Sequence, residues 1–183
     1  GTLVYASHSS ESGLGRLSEA VFVTREGTIA PIDSTWTFFT ALAYPGGFAI
    51  SPDGRRLALS IFVLAERRAD IWIKTLGELG VPTRLTRDEK DNRRPVWADN
   101  RTVLYLSGDG PVAVNAELRA RRADGSGVAQ TLFSSTKLFG SSHYAGDVVV
   151  TADTMQFLLR TTAPPSRDIV GWRRGDSTVT RLL

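Results

Sequence analysis

Residues 50–60 read Ile50-Ser-Pro-Asp-Gly-Arg-Arg-Leu-Ala-Leu-Ser60. An apolar residue runs into Ser-Pro-Asp-Gly and then into alternating apolar positions. Proline pre-sets φ, aspartate can bond its own downstream backbone, and glycine takes a positive φ. The stretch therefore reads as strand, tight turn, strand. One hairpin would decide little. The fold is decided by the recurrence of similar pieces along the chain.

Four segments carry alternating apolar residues into a glycine turn and then a second short strand. They are Glu19–Gly27 with Ile29–Ile32, Ala69–Gly77 with Pro82–Leu85, Ala116–Gly125 with Ala129–Leu132, and Arg167–Gly175 with Val179–Leu182. The turn glycines Gly27, Gly77, Gly125 and Gly175 are separated by 50, 48 and 50 positions. A second family of matches lies between these hairpins. Gly1-Thr-Leu-Val-Tyr-Ala-Ser7 resembles Arg101-Thr-Val-Leu-Tyr-Leu-Ser107, and Arg56–Ser60 and Asp147–Thr151 are read into the same slot. Three of the four units have a further strand ahead of that slot, at Phe48–Gly54, Pro95–Asn100 and Ser142–Asp147. Each unit is thus four short strands, a to d.

That period with four strands per unit is expected of a β-propeller blade. The expected fold is all-β: a propeller region of about four blades of four antiparallel strands, the first blade lacking its innermost strand. The blades are placed at 1–40, 41–89, 90–137 and 138–183. The competing reading is an irregular β-sandwich, which has no reason to repeat its turn glycine every fourth strand. His8–Leu17 is read as a loop.

The 183 residues are 42% hydrophobic and 22% charged, an ordinary globular balance with room for a sizeable core. Cysteine is absent, which excludes disulfides and thiolate metal sites. The net charge is +3, with nineteen Arg against three Lys. The Arg pairs at 55–56, 67–68, 93–94 and 121–122 fall on turns and outer strands, interleaved with acids, without the interspersed aromatics of a stacking platform. Nucleic acid is not expected as a partner. No apolar run is long enough to span a membrane. Gly1 stands where Met would, and no leader pattern follows it, so a processed product or a fragment is expected.

With Ser51–Gly54 in place, a resemblance can be stated. The stretch 47–86 resembles the WD40-like (PD40) repeat of TolB-type propellers. The matching residues are Ile50, Ser51–Gly54, Leu57–Ser60, Asp70-Ile-Trp72 and Arg84-Leu-Thr86. Blade three follows with Arg94-Pro-Val-Trp97, and blade four keeps Asp168-Ile169 and Arg181-Leu182 but lacks Ser-Pro-Asp-Gly. The order of Gly1–Tyr5, Ser51–Gly54 and Asp70–Trp72 is similar to propellers C-terminal to bacterial serine/threonine protein kinases. The resemblance implies a non-catalytic binding, sensing or protein-interaction module on the extracytoplasmic side. The alternatives it leaves are the accessory propeller of a prolyl-oligopeptidase-type peptidase and a TolB-like periplasmic interaction protein.

No catalytic constellation is found. Asp124-Gly-Ser-Gly127 has the wrong spacing for a nucleophile elbow. His8 and His143 are isolated, so no metal and no cofactor is assigned. Asp88-Glu-Lys-Asp91 could meet a calcium ion, but is read as a solvated connection. The Arg-Gly-Asp within 173–176 is read as a hairpin turn. Asp70 and Asp168 are expected to accept backbone N–H bonds at the start of strand c, and Trp72 and Trp97 to wedge between blades.

The expected partner is a protein, a peptide or a small ligand, met by the d–a connections around Trp36–Tyr44, Thr86–Arg93 and Ser134–His143. The candidate binding residues are Trp36, Phe38, Phe39, Tyr44, Asp88, Asp91 and His143. Trp36-Thr-Phe-Phe39 is either the packed entry into blade two or an exposed aromatic patch. Three arrangements accommodate four blades: part of a larger propeller, a homo-oligomer closing a ring through open blade faces, or a small four-blade ring. The first is expected.

Overall fold

The computed structural model describes residues 3–12, 15–41, 47–110, 114–139, 145–151, 153, 156–161 and 168–183. Sheet one contains β1 (Leu3–Ser12), β2 (Gly15–Val23), β3 (Ile29–Pro31) and β4 (Phe38–Ala41). Its centre is β2, which pairs with β1 on one edge and with both β3 and β4 on the other. The last strand of this blade is therefore broken in two, and a strand a is not among its members. Sheet two runs β5 (Phe48–Ile50), β6 (Arg56–Val63), β7 (Arg68–Thr75), β8 (Thr83–Arg84). Sheet three runs β9 (Asp91–Trp97), β10 (Thr102–Asp109), β11 (Val114–Arg122), β12 (Gln130–Ser134), followed by a short helix, α1 (Ser135–Phe139). Sheet four runs β13 (Ala145–Val150), β14 (Gln156–Thr161), β15 (Ile169–Arg173), β16 (Thr180–Arg181). Every pairing is antiparallel between neighbours.

Turn chemistry sets this period. The four repeated glycines all adopt positive φ, at 84°, 84°, 77° and 96° for Gly27, Gly77, Gly125 and Gly175. In the Ser51–Gly54 turn, Ser51 Oγ donates to Asp53 Oδ1 (2.6 Å) and accepts from Arg56 N (2.9 Å), while Asp53 Oδ1 also accepts from Arg55 N (3.1 Å). The turn is tied forward to sheet three, since Asp53 N donates to Asn100 Oδ1 at 2.9 Å.

The sheets stack face to face in chain order. Strand alternation sends successive residues to opposite neighbours. In β6, Leu57, Leu59 and Ile61 pack with Ala20, Ile32, Trp36 and Phe38 of sheet one. Ala58 points the other way and joins Ile71, Ile73 and Leu85 against Trp97, Val103 and Tyr105 of sheet three. In β10, Leu104 and Leu106 turn towards Val148, Phe157, Val170 and Trp172 of sheet four. First strands meet in series, β5 with β9 and β9 with β13, as radial blades require. Among the described residues, no core cluster joins sheet four to sheet one.

Trp97 does wedge between sheets two and three, its indole N–H donating to Ala49 O (2.9 Å) and its ring lying 5.0 Å from the Arg56 guanidinium. Trp72 packs on the interface between sheets one and two. A buried strap fastens that interface too. Asp33 accepts from Lys74 Nζ (2.7 Å), Gly80 N (2.8 Å) and Thr35 N (2.9 Å).

Two details depart from the sequence reading. His8–Leu17 is not a loop: β1 continues to Ser12 and β2 starts at Gly15, with a register shift between His8 and Ser10. Gly15 is dictated by close approach, because a Cβ there would lie 2.6 Å from the Thr40 carbonyl oxygen of β4. In blade four, 147–150 belongs to the first strand, β13, and the second is β14, Gln156–Thr161. The turn between them repeats the Ser51 arrangement without Pro or Gly. Thr151 Oγ1 donates to Asp153 Oδ1 (2.5 Å) and accepts from Gln156 N (3.1 Å). No helix among the described residues is long and apolar enough to cross a membrane.

Candidate functional site

Consecutive antiparallel strands put the a–b and c–d turns at one end of the sheets, and the b–c and d–a connections at the other. Loops gathered on a rigid scaffold are where binding is expected. On sheets two and three this connection end is occupied by charged side chains in one bonded network.

The network starts at Asp70, fully buried at the head of β7. It accepts from the Thr86 hydroxyl (2.5 Å) and the Asn92 amide (3.1 Å), and pairs with Arg84. Arg84 also grips Glu66 bidentately at 2.7 and 2.6 Å. At Asp70 side chains stand in for the expected backbone N–H donors, and Thr86 links it to the backbone, its hydroxyl accepting from Ile71 N (2.9 Å). Asp168 accepts from Arg181 at 3.0 Å. Burial pushes the Asp70 carboxyl above its ordinary range, against the bonds from Thr86, Arg84 and Asn92. Glu66 first, and Asp70 after it, hold the Arg84 guanidinium more firmly protonated.

Asn92 carries the network into sheet three, its amide donating to Asp88 Oδ1 at 2.7 Å. Asp88 then accepts from Arg119 (2.9 Å), which donates to Glu117 (2.8 Å). Asp88 is thus a paired, half-buried carboxylate, and Asp91 is buried in a forked pair with Arg93. The solvated reading of the Asp88–Asp91 connection holds for exposed Glu89 and half-buried Asp88 and Lys90, but not for Asp91. Among the described residues, no group of three or more His, Asp or Glu is placed to hold a metal.

Beside this network lies a cavity of about 270 Å³ on sheet three. Strand register explains its floor. Asn92 pairs with Ser107, Ser107 with Glu117, and Glu117 with Ser134, giving a polar rank across all four strands. The rim comes from both connections. Lys90 bonds Asp109 (2.5 Å), and Thr136 bonds the Asn115 carboxamide oxygen (3.2 Å). Asn115 holds a φ of 56°, which asparagine tolerates better than most residues. The Ser107 hydroxyl and the Asn92 carboxamide oxygen are buried and have no partner among the described residues. Burial pushes the Tyr105 phenol, cross-strand from Arg119, up to about 12.

Two of the three expected d–a connections therefore converge on one cavity, Lys90 from the first and Ser134 with Thr136 from the second. The aromatic candidates behave differently. Trp36 and Phe38 are buried core residues stacked at 4.7 Å, and Phe39 is half-buried. They form the packed entry into blade two. Tyr44 and His143 lie outside the described residues. Ser107, Asp109, Asn115, Glu117 and Arg119 were missed by sequence reasoning. One signal was present: the apolar run Val103–Leu106 of a second strand ends on a buried serine, Ser107.

Four antiparallel sheets packed in series around converging first strands define a β-propeller region. Comparisons specify it further. No protein-family model matches the chain, and no curated protein matches it in sequence. Among solved structures, TolB from Acinetobacter baumannii superposes on 99% of this chain with a TM-score of 0.66 at 17% identity. An oligogalacturonate lyase in complex with manganese covers 92% with a TM-score of 0.61 at 10% identity, and a prolyl endopeptidase covers 98% with 0.56 at 16%. At these identities the likeness concerns the fold, which is that of a TolB-like β-propeller. The chain spans 40% of that TolB chain, 50% of the lyase and 28% of the endopeptidase.

Proposed function

We propose that this propeller region is a non-catalytic binding module, the sensing or protein-interaction part of a longer bacterial membrane serine/threonine kinase with the propeller on the extracytoplasmic side. The observation that carries the binding role is the convergence of two d–a connections on the polar cavity of sheet three, with the buried Ser107 hydroxyl left unpartnered among its lining residues. The kinase context is supported by the order of Gly1–Tyr5, Ser51–Gly54 and Asp70–Trp72.

A second reading has its own support. The likeness to a prolyl endopeptidase and to TolB suits an accessory propeller of a serine peptidase, or a periplasmic interaction protein. The coding context separates them. A kinase domain and a membrane span encoded ahead of the first sheet fit the kinase reading; an α/β-hydrolase domain encoded alongside the propeller would overturn it. For the binding role, the readout is autophosphorylation of the intact kinase. Lys90→Glu with Arg119→Glu is expected to change it while the circular dichroism of the purified 183-residue chain stays that of the parent. Turnover of ester or peptide substrates by the purified chain would overturn the non-catalytic reading.

A further inference from the structure

We infer that the cavity on sheet three takes a small, uncharged, polyhydroxylated molecule. The inference rests on reading the connection end as a binding face, and it adds the chemical class of ligand.

Charge bookkeeping on the wall points to a neutral guest. Among the described residues, each full charge on the cavity wall is already matched: Lys90 by Asp109, and Arg119 by Glu117 and Asp88. An ionic ligand would bring an unmatched charge to a wall whose own charges already balance. What the wall leaves open is uncharged bonding capacity. The Ser107 hydroxyl has no partner, although the residue is only 2% exposed. Glu117 offers its second oxygen, since the bonds from Arg119 and Thr131 both go to Oε2. Thr136 spends its hydrogen on Asn115 and keeps its lone pairs. Lys90 has ammonium hydrogens beyond the one on Asp109.

Donors and acceptors are thus interleaved at short range. Vicinal hydroxyls, each both donor and acceptor, fit that pattern. The volume of about 270 Å³ admits a ring of six carbons with its hydroxyls, and sits near the lower end for small-molecule sites. The lining is mostly polar, so apolar burial adds little and millimolar affinity is expected.

A buried hydroxyl with no partner costs stability. If Ser107 serves only the fold, nothing explains retaining it. Its removal separates binding from folding. Calorimetric or NMR titration of the purified chain uses myo-inositol and glucose as neutral probes, with glucuronate and glucosamine as charged ones. Saturable millimolar binding of a neutral probe is expected, unchanged between low and high salt. In Ser107→Ala it should weaken at least tenfold while the thermal midpoint stays equal or rises. Thr136→Val, at the exposed rim, supplies a second variant that leaves the core untouched. Preference for either charged probe would overturn the inference and leave the binding face standing. Absence of saturation with all four, alongside a stabilised Ser107→Ala, would mean that the cavity holds water, again without touching the kinase readout. Binding unaffected in both variants would place the ligand elsewhere and also overturn it.

Discussion

Sheets two and three differ from sheet four at positions that the sequence writes alike. The third residue of each second strand turns away from the preceding sheet. It is Ala58 in β6, Leu104 in β10 and Leu158 in β14, with exposures of 0%, 2% and 44%. In the third strands the equivalent residues Ile71, Leu118 and Ile169 are 0%, 0% and 37% exposed. The polar signature behaves the same way. Asp70 pairs with Arg84 at side-chain exposures of 0% and 14%, whereas Asp168 pairs with Arg181 at 21% and 68%. Burial here is conferred by the next sheet, not by the residue. The same Asp-Ile and Arg-Leu signatures build a sealed interface in sheet two and an open face in sheet four.

The largest expected effect breaks the ionic half of this comparison. Asp70→Ala leaves the Thr86 hydroxyl without its carboxylate acceptor, takes one acceptor from the Asn92 amide, and leaves Arg84 with Glu66 and the Thr86 carbonyl. Removing one partner of a buried pair costs about 3–5 kcal/mol. Asp168→Ala removes the pair with Arg181, whose side chain is 68% exposed, and that pair is worth about 1 kcal/mol or less. Urea unfolding of the two variants should differ accordingly, and equal losses would refute the contrast.

The apolar half comes next. Leu104→Ala opens a hole in the core between sheets three and four, where Phe157 and Trp172 rings lie 5.1 Å apart. A loss of about 2–5 kcal/mol is expected. The denaturation midpoint is the readout, and a loss under about 1 kcal/mol would mean that this interface is not packed as a core.

A smaller effect separates the first interface by pH. Lys74 foremost, with Thr35, holds the Asp33 carboxyl well below its ordinary range. The folded value lies below the unfolded one, about 3.9, so the stabilisation is present above that pH and is lost as pH falls. Asp33→Asn removes that linkage. Thermal midpoints recorded between about pH 2 and 6 should fall more steeply in the parent than in the variant. Parallel curves would show that Asp33 is not the group responsible, the other depressed carboxylates Glu26, Asp53, Glu66, Asp109 and Asp124 being common to both proteins.

The comparison also explains what could be read in advance. The repeat was legible because glycine turns and the Ser-Pro-Asp-Gly hairpin are local chemistry, written in consecutive residues. Blade four misled the reading where that chemistry was thinned to Thr151 and Asp153, with the hydroxyl and carboxylate kept at the same spacing. The strand from Leu3 to Ser12 runs past a register shift and through serines that carry no apolar alternation. The network of the connection end was illegible for another reason. Its links, such as Arg119 to Asp88 and Lys74 to Asp33, join residues 31 and 41 positions apart. Only the stacking of sheets decides which charges meet.

The smallest effect is the sharpest test of that view. Leu158 occupies the slot of Leu104, is flanked across the strands by Val149 and Gly171, and faces away from sheet three. Leu158→Ala in the purified chain is expected to change stability by no more than about 0.5 kcal/mol, as for an ordinary surface substitution. A single cysteine placed there, in a chain that has none, should react with a thiol reagent as fast as an exposed thiol in a denatured control. A loss comparable to that of Leu104→Ala, or slow labelling that depends on protein concentration, would show that something already covers this face. The fourth sheet would then be a sealed blade like its predecessors, and the contrast drawn from Ala58, Leu104 and Leu158 would collapse.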